Sequence, residues 1–250
     1  MRRLLYDIET SPALVYSWRV GYRIRIDYQN IVKERAVICV GYRWQDEDVT
    51  RVLRWDKNQC DKSMLEKFSK VLSCADECVG HNIDRFDWPW LRTRALFHGL
   101  PPLPQVKTAD TLQWARRYHY FQSNRLNYIA TFLGIGHKKK VEFDLWKQVL
   151  AGSKKALAKM SDYCARDVEL LEKVYERLAV WCPVKTHAGV LSGHEKWTCP
   201  RCASDQVVAW GRYVTAAGTE QHRMKCMTAT CGGSYRISAA AKKQYDERNK

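Results

Sequence analysis

The chain has 250 residues, and its 42 Lys and Arg against 27 Asp and Glu give a formal net charge of +15. Because 46% of the residues are hydrophobic, the chain can bury a core, which excludes a disordered basic tail and predicts a folded protein with a positive surface. No apolar stretch approaches the roughly 18 residues of a membrane span, so we expect neither a secretory signal nor a membrane partner.

Strands and helices alternate along the first three-quarters of the chain. The segments RLLYDIET, RAVICVGYRW and VTRVLRW predict three antiparallel strands, with QDED as a turn between the last two. Apolar residues at three-to-four spacing predict a helix over 61–73, and CVGHN is typical of a short buried strand. Further helices are predicted near 88–97, 126–133 and 154–181. This order predicts one α/β domain with a mixed sheet over residues 1–184.

Two carboxylates lie close together on the first predicted strand. Asp7 and Glu9 are two residues apart, so their side chains point to the same face of an otherwise apolar strand. Carboxylates there repel each other and lose solvation unless a cation lies between them. A strand end that has reached solvent is the alternative interpretation.

Two further motifs contain carboxylates. HNIDRFDWPWL places Asp87 at the start of a helix, where the helix dipole alone would also favour an acidic residue. DYCARDVELL places Tyr163 and Asp167 four residues apart on one face of the long helix, although a simple surface pair has the same spacing. Each motif alone is therefore ambiguous.

The three motifs in this order resemble those of the DEDDy 3′→5′ exonucleases in the ribonuclease H-like (DnaQ-like) superfamily. By pattern, the chain is most similar to the proofreading domains of family-B DNA polymerases, from about residue 3 to residue 181. ADTL at 109–112 and the stretch LNYIATFLGIGHKKK also look like parts of that family. The resemblance implies an α/β, ribonuclease H-like mixed sheet flanked by helices.

The resemblance also implies a two-metal hydrolysis of phosphodiester bonds. Asp7 would bridge two Mg²⁺ or Mn²⁺ ions, Glu9 and Asp167 would hold the ion that activates water, and Asp87 would serve the other. Tyr163 would orient the attacking water through its hydroxyl group. The resemblance thus assigns the catalytic roles to these five residues.

Other residues near these motifs are assigned less directly. Asp84 competes with Asp87 for the third carboxylate role, and Asp87 is preferred because FDWPWL matches the family pattern. By the same match, Asn82 and the backbone near Thr10 are expected to approach the 3′-terminal nucleotide. The basic and aromatic stretch 115–125 is typical of single-strand binding or of partial core packing. Lysines 138–140 form a solvated turn or hold phosphate.

Four of the ten cysteines form two close pairs near the end of the sequence, namely Cys199 with Cys202 and Cys226 with Cys231. Each pair can supply two thiolates, and four thiolates complete a closed tetrahedral Zn²⁺ site. The segment between the pairs predicts a β-hairpin, so the pattern looks like a zinc ribbon with one structural Zn²⁺. Ligation by His194 or His222 in place of a cysteine, and disulfide pairing, are the alternatives.

The cysteine pattern also sets the predicted domain boundaries. The ribbon is predicted over 196–240, after a linker at 185–195 and before a basic or polar tail at 241–250. The six scattered cysteines are interpreted as buried free thiols, which indicates a cytoplasmic protein. Basic and aromatic residues in the ribbon favour a nucleic-acid-binding surface over a merely solvated face. A ribbon can also dock on protein. The basic and aromatic residues are Arg201, Trp210, Arg212, Tyr213, Arg223, Lys225, Tyr235 and Arg236.

The sequence as a whole predicts a metal-dependent 3′→5′ exonuclease that acts on single-stranded DNA ends, with the zinc ribbon aiding substrate binding. An exoribonuclease is the nearest alternative, because ribonucleases of the same superfamily share the tyrosine-type third motif. No polymerase domain is expected in the remaining residues, so a proofreading role would serve another chain, with a replication or repair protein as partner. A non-catalytic nucleic-acid-binding or adaptor protein is the rival from another class, and the presence of all five motif residues counts against it.

Overall fold

A computed structural model describes residues 1–21 and 23–249. The chain divides into two compact units. The N-terminal unit contains residues 2–116 and 121–174. The C-terminal unit contains residue 1, residues 117–120 and the described residues from 175 onward.

A five-stranded mixed sheet forms the centre of the N-terminal unit. The strands of this unit are β1 (Arg3–Thr10), β2 (Leu14–Val15), β3 (Ile31–Lys33), β4 (Val37–Trp44), β5 (Arg51–Arg54), β6 (Glu77–Gly80) and β7 (Lys107–Asp110). The central sheet has the order β5-β4-β1-β6-β7, and β2 pairs with β3 separately. Strands β1, β4 and β5 are antiparallel, whereas β6 and β7 run parallel to β1. The predicted antiparallel start and mixed sheet are confirmed.

The N-terminal unit and the segment that leaves it contain six helices among the described residues. They are α1 (Lys62–Leu72), α2 (Asp87–Phe97), α3 (Thr111–Tyr118), α4 (Leu126–Phe132), α5 (Asp144–Leu150) and α6 (Lys154–Ala179). A short 3₁₀ helix covers Tyr28–Asn30. The helices predicted near 61–73, 88–97, 126–133 and 154–181 are confirmed, with ends that differ by one or two residues. Helices α3 and α5 were not predicted from the sequence.

Strand β1 separates two hydrophobic clusters. Its Leu4, Tyr6 and Ile8 belong to the cluster that includes α1 and α2. Because side chains alternate along a strand, Asp7 and Glu9 lie on the opposite face. The second cluster joins buried residues of β4, α5 and α6. The two acidic residues therefore point away from the α1 side of the sheet.

The C-terminal unit contains a three-stranded antiparallel sheet with strand order β10-β9-β8. Its elements from Ala188 onward are α7 (Ala188–Leu191), β8 (Val207–Val214), β9 (Glu220–Cys226), β10 (Ser234–Ser238) and α8 (Ala239–Arg248). Strands β8 and β9 form the hairpin that the sequence predicts. Within the predicted linker, the His187 side chain accepts a hydrogen bond from the Val190 N–H and caps α7.

The prediction of a tail over 241–250 was wrong for residues 241–248, which belong to α8. Ala241 is buried, and the Tyr245 ring packs edge-on against Trp197 at 5.5 Å. The Tyr245 hydroxyl also donates to the Val207 carbonyl. Composition concealed this helix because the described residues that pack it into the hydrophobic cluster, Ala241 and Tyr245, stand one turn apart in an otherwise polar segment.

Across the described residues, every helix is too short or too polar to span a lipid bilayer.

Candidate active site

Close packing of α6 on β4 brings the long helix to the acidic face of β1. In the ladder between β1 and β4, Asp7 pairs with Gly41. The Gly41 N–H lies 3.2 Å from the Cys164 Sγ atom, and a Cβ atom on Gly41 would be only 2.9 Å from that sulfur. Any larger residue would push the helix outward. Gly41 therefore sets the position of Asp167, which follows Cys164 by about one helical turn.

Three of the predicted acidic residues converge at this place. Ligand oxygens of Asp7, Glu9 and Asp167 all lie within 4.8 Å of one another. Tyr163 lies one turn earlier on α6, close enough to Asp167 for each group to shift the pKa of the other. Asp87 is not part of this group, but it is buried beside it, where its Oδ1 accepts a hydrogen bond from the Ile8 N–H at 3.1 Å.

Burial makes the negative charge of this cluster costly. It raises the pKa of Asp7 to about 7, with a smaller contribution from the charge of Asp167. Burial, followed by the charge of Asp7, also raises the pKa of Glu9 and of Asp87 well above the usual range. Carboxylates in such surroundings keep their charge only with a cation nearby.

One cation of the chain lies at the cluster. The Lys138 Nζ atom is 2.6 Å from Asp167 Oδ2, and its charge lowers the pKa of Asp7 against the effect of burial. Burial alone would lower the pKa of Lys138, but the charges of Asp7 and Asp167 raise it above the usual value. The clustered carboxylate oxygens are hard donors of the kind that Mg²⁺ and Mn²⁺ prefer, so the residues fit a divalent ion.

A cavity of about 520 Å³ extends from Lys138. It is lined by His81, Asn82, Leu112, Arg116, Asn124, Arg125, Leu126, Asn127 and Lys138. The ring of His81 is bonded to the Thr111 hydroxyl and to the Asn124 carbonyl, each at 2.9 Å. Burial lowers the pKa of His81 to about 4, so this ring is neutral at pH 7. The positive charge of the cavity thus comes from its two arginines and its lysine.

RNase_H_2, a family model of the RNase_H superfamily, matches residues 31–179. The chain belongs to the RNase_H superfamily. The predicted ribonuclease H-like fold is thereby confirmed, and membership supports a nuclease-type function in general. The matched range includes Asp87, Tyr163 and Asp167 and begins after Asp7 and Glu9.

Among solved structures, this RNase_H superfamily chain is similar to the family B DNA polymerase from the hyperthermophilic archaeon Pyrobaculum calidifontis. The TM-score is 0.54 at 18% sequence identity, so the likeness shows the fold alone. The alignment covers 71% of this chain and 24% of the polymerase, so the chain corresponds to about a quarter of that protein. No curated protein matches the chain.

The structure distinguishes the two acidic residues that compete in the second motif of this superfamily member. Asp84 accepts hydrogen bonds from the Thr108 hydroxyl and from Gln113 Nε2, so it is held at β7 and α3. Asp87 lies against β1 instead. The geometry therefore favours Asp87 as the carboxylate that accompanies the cluster.

The two predicted substrate contacts have different surroundings. Asn82 lines the cavity and adopts a left-handed backbone with φ of 74°. Asp110 holds this turn, because its Oδ1 accepts from the Asn82 N–H at 2.9 Å. The Thr10 hydroxyl accepts from Arg35 Nη2, and the Thr10 carbonyl accepts from Trp146 Nε1. Thr10 is thus occupied by protein partners, whereas Asn82 faces open space.

Three contributors to the site were not assigned their roles from the sequence. Lys138 was predicted to lie in a solvated turn or to hold phosphate, Asp110 appeared only within a family-like stretch, and Gly41 was not singled out. An acidic residue directly before a helix is a capping signal, and Asp110 indeed accepts from the Leu112 N–H at 2.9 Å. Nothing local predicts the ion pair of Lys138 with Asp167 or the packing at Gly41, because both depend on contacts across the fold.

A second candidate metal centre lies in the C-terminal unit, where the four clustered cysteines have Sγ atoms within 4.8 Å of one another. Cys199 and Cys231 sulfurs are 3.7 Å apart, and those of Cys202 and Cys226 are 3.6 Å apart. Tetrahedral zinc with Zn–S bonds of about 2.3 Å gives sulfur separations of about 3.8 Å, whereas a disulfide requires about 2.05 Å. All ten cysteines are free, so the disulfide alternative is wrong and the thiolates fit a zinc ion.

Proposed function

We propose that the protein is a divalent-metal-dependent 3′→5′ exonuclease that hydrolyses phosphodiester bonds at single-stranded DNA ends. The convergence of Asp7, Glu9 and Asp167 within 4.8 Å, on the buried face of an RNase H-like sheet, carries this proposal. Such a cluster is costly without cations and is suited to hold them. Asp87 adds a fourth carboxylate beside β1.

The chain's own residues have distinct roles in this reaction. Asp7, Glu9, Asp87 and Asp167 would hold two Mg²⁺ or Mn²⁺ ions, which activate water and stabilise negative charge on the attacking and leaving oxygens. Burial raises the pKa of Tyr163, so its hydroxyl keeps its proton near neutral pH. Tyr163 therefore orients the water by hydrogen bonding and does not act as a base.

The cavity beside the carboxylates supports binding of a nucleotide at the chain end. Arg116, Arg125 and Lys138 supply cations for phosphate, and Asn82 supplies amide hydrogen-bonding groups. DNA is the favoured substrate because the similar solved structure is a DNA polymerase. In this proposal, the 3′-terminal nucleotide occupies the cavity while the scissile phosphate lies at the carboxylates.

The predicted zinc ribbon is proposed to aid binding through an aromatic and basic face. The Arg236 guanidinium lies 3.8 Å from the centre of the Tyr213 ring. The Arg223 guanidinium lies 5.2 Å from the centre of the Trp210 ring and 5.9 Å from the centre of the Tyr213 ring. Cations interleaved with exposed rings are typical of surfaces that bind single strands. Because four thiolates leave no position for water, a Zn²⁺ ion that they hold would be structural. The free thiols suit a reducing cytoplasm.

A nuclease assay with matched variants tests the proposal. End-labelled single-stranded DNA, duplex DNA and RNA are incubated with Mg²⁺, Mn²⁺ or EDTA. We expect shortening of single-stranded DNA from its 3′ end, dependent on metal, and its abolition by Asp7→Ala and Asp167→Ala. Asp162→Ala is the control, because Asp162 is exposed on the same helix.

Unchanged activity of Asp7→Ala would contradict the two-metal proposal. Faster degradation of RNA than of DNA would instead identify an exoribonuclease.

A further inference from the structure

A basic and aromatic arm projects from the strand that bears Asp7 and Glu9. We define the arm as residues 12–35, of which the structure describes all but residue 22. Its two ends meet directly after β1, where the Ser11 N–H donates to the Ala36 carbonyl and the Ala36 N–H donates to the Ser11 hydroxyl, both at 2.9 Å. The arm therefore begins and ends beside the carboxylate cluster.

Arg35 makes further contacts at the base of the arm. Arg35 donates from Nη2 to the Thr10 hydroxyl and from Nε to the Ser11 carbonyl. Its guanidinium also lies 4.4 Å from the centre of the Trp90 ring. These contacts tie the arm to β1 and α2, so its root is held at a defined position next to the site.

The arm exposes many large apolar side chains to solvent. Trp18 and Val20 are fully exposed, and Tyr16 and Tyr28 are each about three-quarters exposed. The remaining exposed large apolar residues of the arm are Leu14, Ile24, Ile26 and Val32. A concentration of exposed apolar side chains marks an interaction surface.

The charge of the arm identifies the kind of partner. Residues 12–35 contain five Lys or Arg and two Asp or Glu, a net charge of +3. Arg19, Arg23 and Arg25 are exposed among the aromatic residues. Cations that pair with phosphates and rings that stack on bases are the combination by which proteins hold single strands.

We infer that this arm binds the single-stranded part of the substrate next to the terminal nucleotide, with Trp18 and Tyr16 stacking on bases. Tyr16, Ser17, Trp18 and Asn30 line an open cavity of about 440 Å³, which has room for a base. The inference rests on the proposed function for the nature of the ligand. It adds a binding element outside the carboxylate cluster and outside the zinc ribbon.

Binding of the full-length chain to a fluorescein-labelled single-stranded oligonucleotide, followed by anisotropy in EDTA, tests the inference without hydrolysis. We expect Trp18→Ala to raise the dissociation constant by about tenfold and Trp18→Phe to recover part of the loss, because a smaller ring still stacks. Trp181→Ala removes another exposed tryptophan and is expected to bind like the wild type. An abasic oligonucleotide should bind wild type and Trp18→Ala equally, because it offers no bases to stack.

The outcomes separate this inference from the proposed function. If the wild type binds and degrades the oligonucleotide, and a folded Trp18→Ala variant binds it equally well, the arm inference alone is overturned. If the wild type binds the oligonucleotide but shows no hydrolysis with Mg²⁺ or Mn²⁺, the exonuclease proposal fails while the binding comparison still tests the arm. A blue shift of tryptophan fluorescence with anionic lipid vesicles, lost in Trp18→Ala without any change in oligonucleotide binding, would identify a lipid-binding arm and overturn the inference.

Discussion

Lys138 lies at the edge of the carboxylate cluster and offsets only part of its negative charge. Lys138 contacts Asp167 at 2.6 Å and lies 5.8 Å from the centre of the Tyr163 ring. A protein cation at a carboxylate competes with a metal ion for it, because both satisfy the same charge. In the proposed reaction, substrate phosphate offers Lys138 another partner, and Asp167 is then free to hold metal.

This exchange of partners leads to a prediction for Lys138→Ala. We expect the turnover number on single-stranded DNA to fall by about 100-fold, because a cation that stabilises developing phosphate charge is lost. The dissociation constant for Mn²⁺ should not rise, because the lysine competes with the ion. Single-turnover kinetics and Mn²⁺ titration measure the two quantities.

Lys139→Ala is the matched control, since Lys139 is the exposed neighbour in the same turn. A rise in the Mn²⁺ dissociation constant for Lys138→Ala without loss of turnover would contradict the proposed exchange.

At the scale of single residues, the sequence predicts which side chains share a face, because the period of a strand or helix determines this. The spacing of Asp7 and Glu9 on a strand, and of Tyr163 and Asp167 on a helix, places each pair on one face, and the structure brings three of these carboxylates together. The packing at Gly41 and the ion pair of Lys138 with Asp167 were not predictable in the same way. Helix α6 packs closely on Gly41, and Lys138 reaches Asp167 from a segment 29 residues earlier in the sequence.

At the scale of elements, a buried ion pair links the sheet to two helices. Asp61, just before α1, accepts from Arg94 Nε and Nη2 at 2.8 and 2.9 Å and from the Val37 N–H at 2.9 Å. His98 Nε2 also bonds to this carboxylate. Burial would raise the pKa of Asp61, but the hydrogen bonds from Arg94, His98 and Val37 outweigh it and lower the pKa below the usual value.

The lowered pKa of Asp61 determines how its contribution to the free energy of unfolding changes with pH. A carboxyl group with a lower pKa in the folded state stabilises the fold above its unfolded pKa of about 3.9, and that contribution is lost as the pH falls through the folded value. Asp61→Asn should reduce the free energy of unfolding at pH 7 by about 3 to 5 kcal/mol, because Arg94 is left buried without its partner. The variant should also lose less stability than the wild type between about pH 5 and pH 3.

Urea denaturation at several pH values measures both effects. Glu66→Gln on the exposed side of α1 is the control and should behave like the wild type. Equal acid sensitivity of Asp61→Asn and wild type would show that other groups control acid unfolding.

Elements with a regular apolar period were predicted well, whereas the helices α7 and α8 were not. Helix α6 was predicted because its apolar residues keep a helical period over about seven turns, from Lys154 to Ala179. Helices α7 and α8 were interpreted as linker and tail. Their stability comes from contacts with other parts of the C-terminal unit, such as the hydrogen bond from the Ala188 N–H to the Pro200 carbonyl, which local composition does not reveal.

At the scale of the whole molecule, the net charge of +15 predicts salt-sensitive binding to a polyanion but does not locate it. Candidate basic sites for a polyanion are the cavity at Lys138, the arm, and the face of the ribbon at Arg223 and Arg236. If binding is a general electrostatic attraction, its salt dependence is set by the number of charges alone. If binding uses specific contacts, its salt dependence changes according to which charges are removed.

The ribbon face allows these two possibilities to be separated. We expect Arg223→Ala with Arg236→Ala to reduce the slope of log affinity against log salt by about 1.4, because each phosphate contact to a single strand contributes about 0.7. Lys242→Ala with Lys243→Ala removes the same charge from α8, where both lysines have acidic partners one turn away, and should change the slope little. Unchanged zinc content and unchanged turnover on very short substrates would show that the ribbon and the active site remain intact. Equal slopes for both double variants would contradict a specific role of the ribbon face, since the total charge alone would then govern binding.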